Sequence, residues 1–257
     1  MNVKELFCIL NECAPLNLSK ELCEIEEGYD NSGIILDSSR QTDKILFCLD
    51  LTSKSVEKAI ELGCGIIVTH HPAIYRPIKN LIEDAPLLKC ARERIGVISM
   101  HLNLDCAKEG IDYYLAKGLG GEVVKILTPL SLEDTGYGRI SEVNATAIEI
   151  LDRYKKEFKT EKVSLYGDYQ QKITRIASFC GSGLDESGIN FAIVSGAQMV
   201  VSADIAHHDL ISALEKNLCV LNCTHYSCEN YGMKKVAEYF SNKLKEKIYF
   251  FDDERFV

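Results

Sequence analysis

The segment Ile66-Ile67-Val68-Thr69-His70-His71-Pro72 constrains this chain most, because an apolar run of strand length ends there in two adjacent imidazoles. Such a run belongs in the interior of a sheet, so the polar residues at its end fall at a loop edge, where binding and catalytic groups collect. Val97-Ile98-Ser99-Met100 leads in the same way into His101-Leu102-Asn103-Leu104-Asp105. Cys219-Val220-Leu221-Asn222 leads into Thr224-His225, with Glu229 four residues on. Three strand ends thus offer imidazole and carboxylate together.

Strand and helix patterns alternate for most of the chain, which predicts an α/β class. Strands are expected at 44–49, 65–69, 97–100, 123–127, 162–166, 173–179, 198–202, 218–222 and 247–251, with helices filling the gaps. In the last long helix Met233, Val236, Ala237, Phe240 and Leu244 recur at three- and four-residue intervals and make one face apolar. Thr224 or Ser227 can cap its start, so that His225 and Glu229 project from one face near the first turn. Gly63-Cys64-Gly65-Ile66-Ile67-Val68 matches Gly196-Ala197-Gln198-Met199-Val200-Val201, and each is followed by a His pair, a helix and a strand ending near another His. This suggests a duplicated α/β unit, although ordinary α/β punctuation can produce the same match. The expected organisation is a first lobe over 1–128, a second over 129–225, and a C-terminal helix and strand over 226–257 packing back on the first. The junction falls at Leu130 to Gly138, after Pro129.

With 257 residues the chain can bury a substantial core. A net charge of −9 and no dense basic run argue against wrapping a nucleic-acid backbone. No apolar run approaches the roughly 20 residues that span a bilayer, so a cytoplasmic protein is expected, with no membrane partner. The 11 cysteines form no Cys-x-x-Cys pair, which leaves a zinc finger no knuckle to build on. They read as reduced thiols buried as small apolar residues; Cys219, Cys223 and Cys228 near His225 keep an incidental ligand or redox role open.

Imidazoles and carboxylates converging from several strand ends are what a hydrolytic metal centre needs. Imidazole supplies directional nitrogen ligands, and a carboxylate can bridge two cations. The ligand set is His70, His71, Asp105, His225 and Glu229, which suits two divalent metal ions (Zn, Fe, Mn, Ni or Mg) better than one. Adjacent strand residues point to opposite faces, so His70 and His71 share a centre only if the chain turns there, as Pro72 favours. Each residue also has a plainer reading. His101 could be a hydrogen-bonded polar residue, Asp105 the cap of a helix starting near Lys108, and Glu229 a helix-dipole partner. His207 and His208 could contact substrate or merely open a helix capped by Asp204. Gly181-Ser182-Gly183 could receive phosphate, but a tight turn is the simpler reading.

Four segments resemble the Nif-three-like family, whose bacterial members are named GTP cyclohydrolase 1 type 2 homologues. They are Tyr29-Asp30-Asn31-Ser32-Gly33-Ile34, Val68-Thr69-His70-His71-Pro72, His101-Leu102-Asn103-Leu104-Asp105, and Asp204-Ile205-Ala206-His207-His208-Asp209 with His225-Tyr226-Ser227-Cys228-Glu229. The resemblance implies a two-lobed fold with mixed sheets, a dinuclear metal site on the five ligands above, and a ring-shaped homo-oligomer, expected as a hexamer. Tyr29 stands where the family often has tryptophan, Ser202-Ala203-Asp204 where Thr-Gly-Asp is frequent, and a large central insertion of some members is lacking. As a GTP cyclohydrolase the protein would use a metal-bound hydroxide to attack C8 of a guanine nucleotide, with His101 or His208 as the catalytic proton shuttle. A phosphoesterase or amidohydrolase with the same site, and a non-catalytic metal-binding or regulatory protein, are the alternatives.

Overall fold

The computed structural model describes residues 1–80 and 82–256. It falls into two compact units: Met1–Ala107 with Met233–Glu254, and Lys108–Gly232 with the residues from Arg255. In chain order the first unit holds α1 (Val3–Cys13), α2 (Leu16–Glu26), β1 (Gly33–Leu36), β2 (Lys44–Cys48), α3 (Ser53–Leu62), β3 (Ile66–Thr69), α4 (Pro86–Arg92), β4 (Gly96–Ser99) and the single turn α5 (Leu102–Asp105). The second holds α6 (Ile111–Gly118), β5 (Glu122–Pro129), β6 (Gly136–Thr146), α7 (Ala147–Phe158), β7 (Val163–Tyr166), β8 (Lys172–Ser178), α8 (Glu186–Val194), β9 (Met199–Ala203), α9 (His207–Glu215) and β10 (Cys219–Cys223). Helix α10 (His225–Lys243) starts in the second unit and ends in the first, which β11 (Lys247–Phe251) rejoins.

Both sheets are mixed. The first runs β1-β4-β3-β2-β11, parallel except for β1. The second runs β5-β6-β8-β9-β10-β7, with β8, β9 and β10 parallel and the other pairings antiparallel. Every residue of β3 and of β9 is buried, as expected of interior parallel strands covered on both faces, and this explains their continuous apolar runs. Leu46, Ile67 and Val97 pack with Val56 and Ala59 of α3 and Cys90 of α4 in one core. Ala177, Val200 and Val220 pack with Ile189 and Ala192 of α8 and Ala213 of α9 in the other.

The internal repeat has a structural counterpart. β2-α3-β3-α4-β4 and β8-α8-β9-α9-β10 each build three neighbouring parallel strands joined by helices. Gly63 and Gly196, matched in the repeat, both follow a helix at positive φ, 73° and 71°, a backbone state that glycine reaches without a Cβ clash.

Two strands lack a clear sequence signature. β1 is short, and β6 opens with Gly136-Tyr137-Gly138, whose glycines have φ of 142° and 73° and read locally as a turn. The stretch from Leu130 to Gly138, expected as a junction, is instead the turn of the β5–β6 hairpin and the start of β6, inside the second unit. The 11 cysteines are free thiols and eight are buried; burial pushes the thiols of Cys64 and Cys90 up to about 11 and about 12, which keeps them unreactive.

Candidate metal centre

In the first unit the strand β3 ends at Thr69, and the chain bends at once. The backbone N–H groups of His70 and His71 both donate to Leu49 O, at 3.1 and 3.0 Å, so the two residues no longer alternate across a sheet. Thr69 Oγ1 secures the bend by donating to His71 O at 2.8 Å. The rings of His70 and His71 lie 5.1 Å apart between centroids, and His101, from the end of β4, lies 5.2 and 5.8 Å from them. One nitrogen from each of these three histidines falls within 4.8 Å of the others.

Each ring is held by its Nδ1. His70 Nδ1 lies 2.8 Å from Met100 O, His71 Nδ1 2.7 Å from Asp50 Oδ1, and His101 Nδ1 2.8 Å from Asp30 Oδ1. A carbonyl only accepts, so His70 carries a proton on Nδ1. Its Nε2 then faces the buried Asp105 carboxylate at 3.4 Å. A lone pair directed at a carboxylate in a buried site is unfavourable unless a cation or a proton lies between them. Three imidazole nitrogens within 4.8 Å of one another, with the Asp105 carboxylate 3.4 Å from one of them, are donor types that fit a divalent transition metal. Asp105 ends the turn α5, where its N–H donates to His101 O at 3.0 Å; the next helix, α6, starts from Gly110, so Asp105 is not its cap.

Asp30 is the most constrained of the orienting carboxylates. Its Oδ2 accepts from Ser19 Oγ at 2.5 Å and Ser32 Oγ at 2.6 Å, while Oδ1 meets His101. Burial pushes its pKa up, but the hydrogen bonds from His101, Ser19 and Ser32 outweigh this and hold it at about 2. For His101 burial alone would lower the pKa; the bond to Asp30 and the charges of Asp105 and Asp30 win, and it is raised.

In the second unit Thr224 caps α10, its Oγ1 accepting from Ser227 N at 3.1 Å. His225 and Glu229 are one turn apart on that helix, and His225 Nε2 lies 3.0 Å from Glu229 Oε2. His225 Nδ1 is held by Asp204 Oδ2 at 2.7 Å. Asp204 therefore orients a histidine, while α9 starts from Ala206 without a side-chain cap. Gly181 packs so closely here that a Cβ on it would come within 2.5 Å of Glu229 Oε1. Its carbonyl accepts from Ala203 N at 2.9 Å, and α8 starts only at Glu186 behind an Asp185 cap. Gly181-Ser182-Gly183 is thus a tight turn against the His225–Glu229 pair. His207 and His208 are exposed on α9; His208 is 83% exposed and belongs to none of the metal-donor groups among the described residues.

Sequence reasoning missed the orienting role of Asp50, Asp30 and Asp204. Asp50 and Asp204 could have been found by the rule that found the histidines, since Asp204 directly follows the buried strand β9 and Asp50 lies two residues after the end of β2. Asp30 lies in the segment Tyr29 to Ile34 that carries the family resemblance, but nothing local pairs it with His101, 71 positions away.

The model of the DUF34/NIF3 family (NGG1p interacting factor 3) matches residues 1–255. A protein of Clostridium acetobutylicum named GTP cyclohydrolase 1 type 2 homolog is 31% identical over 238 residues, 89% of this chain and 85% of its own. Among solved structures, reduced HcgD from Methanocaldococcus jannaschii is 29% identical, with a TM-score of 0.80 over 98% of each chain. Staphylococcus aureus hypothetical protein SA1388 has a TM-score of 0.85 at 24% identity, covering 98% of this chain and 97% of its own. A whole-length family match, with a relative above 30% identity, leaves one conclusion: this chain belongs to the DUF34/NIF3 family.

Proposed function

We propose that this protein is a dinuclear metal-binding hydrolase acting on a nucleotide-like heterocycle, with His70, His71, Asp105, His225 and Glu229 as ligands of two divalent cations. The observation that carries this reading is the His70–Asp105 pair, in which a buried imidazole nitrogen faces a buried carboxylate at 3.4 Å beside two further histidines. His225 and Glu229, with Asp204 behind the imidazole, form a second donor pair of the same design. The similarity to proteins named GTP cyclohydrolase 1 type 2 homolog supports the substrate class. When bound, such cations supply Lewis acidity and lower the pKa of a water toward neutrality.

The chain's own residues then have separable tasks. Asp50 and Asp204 fix the rings of His71 and His225 with Nε2 turned outward, which presents one nitrogen and no proton to a ligand. Thr69 and Ser99, joined through their hydroxyls at 2.8 Å, hold the ends of β3 and β4 together beneath the histidines. His101, raised in pKa and anchored by Asp30, holds a proton at Nδ1 and is the residue assigned to proton transfer, with His208 as its alternate. The working form is a cytoplasmic homohexamer.

The test is elemental analysis of protein purified without added metal, followed by a turnover screen with GTP, simple phosphoesters and amides. About two metal equivalents per chain and turnover of one substrate class support the reading. Fully loaded protein that turns over none of them favours a non-catalytic metal-binding or regulatory role.

A further inference from the structure

The segment Tyr29-Asp30-Asn31-Ser32 supplies none of the five proposed ligands, yet it reaches the histidine cluster at several points. Asp30 bonds the His101 ring at 2.8 Å and Ser32 Oγ accepts from the His101 backbone N–H at 3.0 Å. Asn31 Nδ2 donates to Ile74 O at 2.6 Å, in the loop that follows His71. Tyr29 packs edge-on against Tyr75 of the same loop, 6.1 Å between centroids, and Tyr75 meets the His101 ring edge-on at 6.4 Å. One short segment therefore braces both histidine-bearing loops of the first unit.

We infer that Asp30 is a positioning residue that locks His101 in the tautomer protonated at Nδ1, turning the Nε2 lone pair toward His70 and His71. The reason is a shortage of alternatives. A carboxylate only accepts, so its contact with Nδ1 requires the ring proton there. Asp30 cannot turn away from the ring without giving up Ser19 or Ser32, because its other oxygen is held by both hydroxyls. Its side chain is 1% exposed, so no water replaces a lost partner. A histidine so fixed offers Nε2 as an acceptor in every neutral molecule, which is what a proton-transferring group needs before substrate arrives. The consequence for turnover rests on the hydrolase reading above; the tautomer does not.

The experiment uses metal-free, nitrogen-15-labelled full-length protein, in which long-range proton–nitrogen correlation spectra distinguish the two neutral tautomers of each histidine. The His101 signals are assigned by their disappearance in His101→Gln. Wild type should show His101 as the Nδ1–H form. Asp30→Ala should lose it while the signals of His207 and His208 stay in place. An Nε2–H form in wild type, or an unchanged tautomer in folded Asp30→Ala, overturns the inference. If Asp30→Ala does not fold, wild type still decides it, since an Nε2–H form of His101 there overturns it. A parallel zinc titration separates the two claims: wild type with the expected tautomer but no zinc uptake removes the metal reading and leaves the role of Asp30 standing.

Discussion

Asp204 sits in the left-handed region at φ 49° and its Oδ2 lies 2.7 Å from His225 Nδ1. A non-glycine residue there stores about 1–3 kcal/mol of strain and persists where the surroundings impose it. Backbone strain is thus held at the point where a candidate ligand is oriented.

This relationship separates stability from binding. Asp204→Gly relieves the strain and removes the carboxylate, so chemical denaturation should show stability unchanged or slightly higher. Metal affinity should fall by roughly 10- to 100-fold in a zinc titration. Asp50→Ala should cause a loss of the same order through His71. Wild-type affinity in both variants would mean these carboxylates do not orient ligands.

Removal of a ligand should act on metal content. His70→Ala and Glu229→Ala should each bind fewer metal equivalents than wild type by elemental analysis, with circular dichroism spectra unchanged. If both variants retain the wild-type count, the ligand assignment is wrong.

The two assigned proton-transfer residues should differ in effect. His101 stands beside His70 and His71, whereas His208 is 83% exposed. His101→Ala should lower turnover of the substrate found in the screen by a factor of roughly 100 to 10,000, and His208→Ala by less. The reverse order would transfer the role to His208.

A pH dependence of stability should come from the second unit. Asp112 Oδ2 lies 3.7 Å from Arg139 Nε, with both residues buried. Burial pushes the Asp112 carboxyl up to about 6, against the pull of Arg139 and of the Cys180 and Gly138 backbone. Its folded value lies above its ordinary 3.8, so its contribution to stability is complete below 3.8 and is lost as pH rises through about 6. The free energy of urea unfolding of wild type minus that of Asp112→Asn should fall across this window; a constant difference would contradict it.

Assembly is checked by mass. Light scattering at micromolar concentration should give six times the 28.8 kDa of the chain, and a monomer mass would rule the ring out.

What the sequence by itself determined follows from periodicity and from strand ends. Apolar runs located β3, β4, β9 and β10, because a strand buried on both faces is mostly apolar and admits a polar residue only where it is hydrogen-bonded, and the same logic put His70, His71, His101 and His225 at their ends. The four-residue spacing of His225 and Glu229 also needed only the helix period. Tertiary structure alone decided the rest. Nothing in the order of residues says that Asp30 meets His101, that Asp50 meets His71, or that Gly181 makes room for Glu229. These contacts join residues tens of positions apart, and they are set by which strands become neighbours in each sheet. β6 was hidden for a related reason: its glycines and the buried Arg139 are acceptable only because the hairpin with β5, the pairing with β8 and the Asp112 carboxylate surround them. Local pattern reports burial; partner choice is a property of the folded sheet.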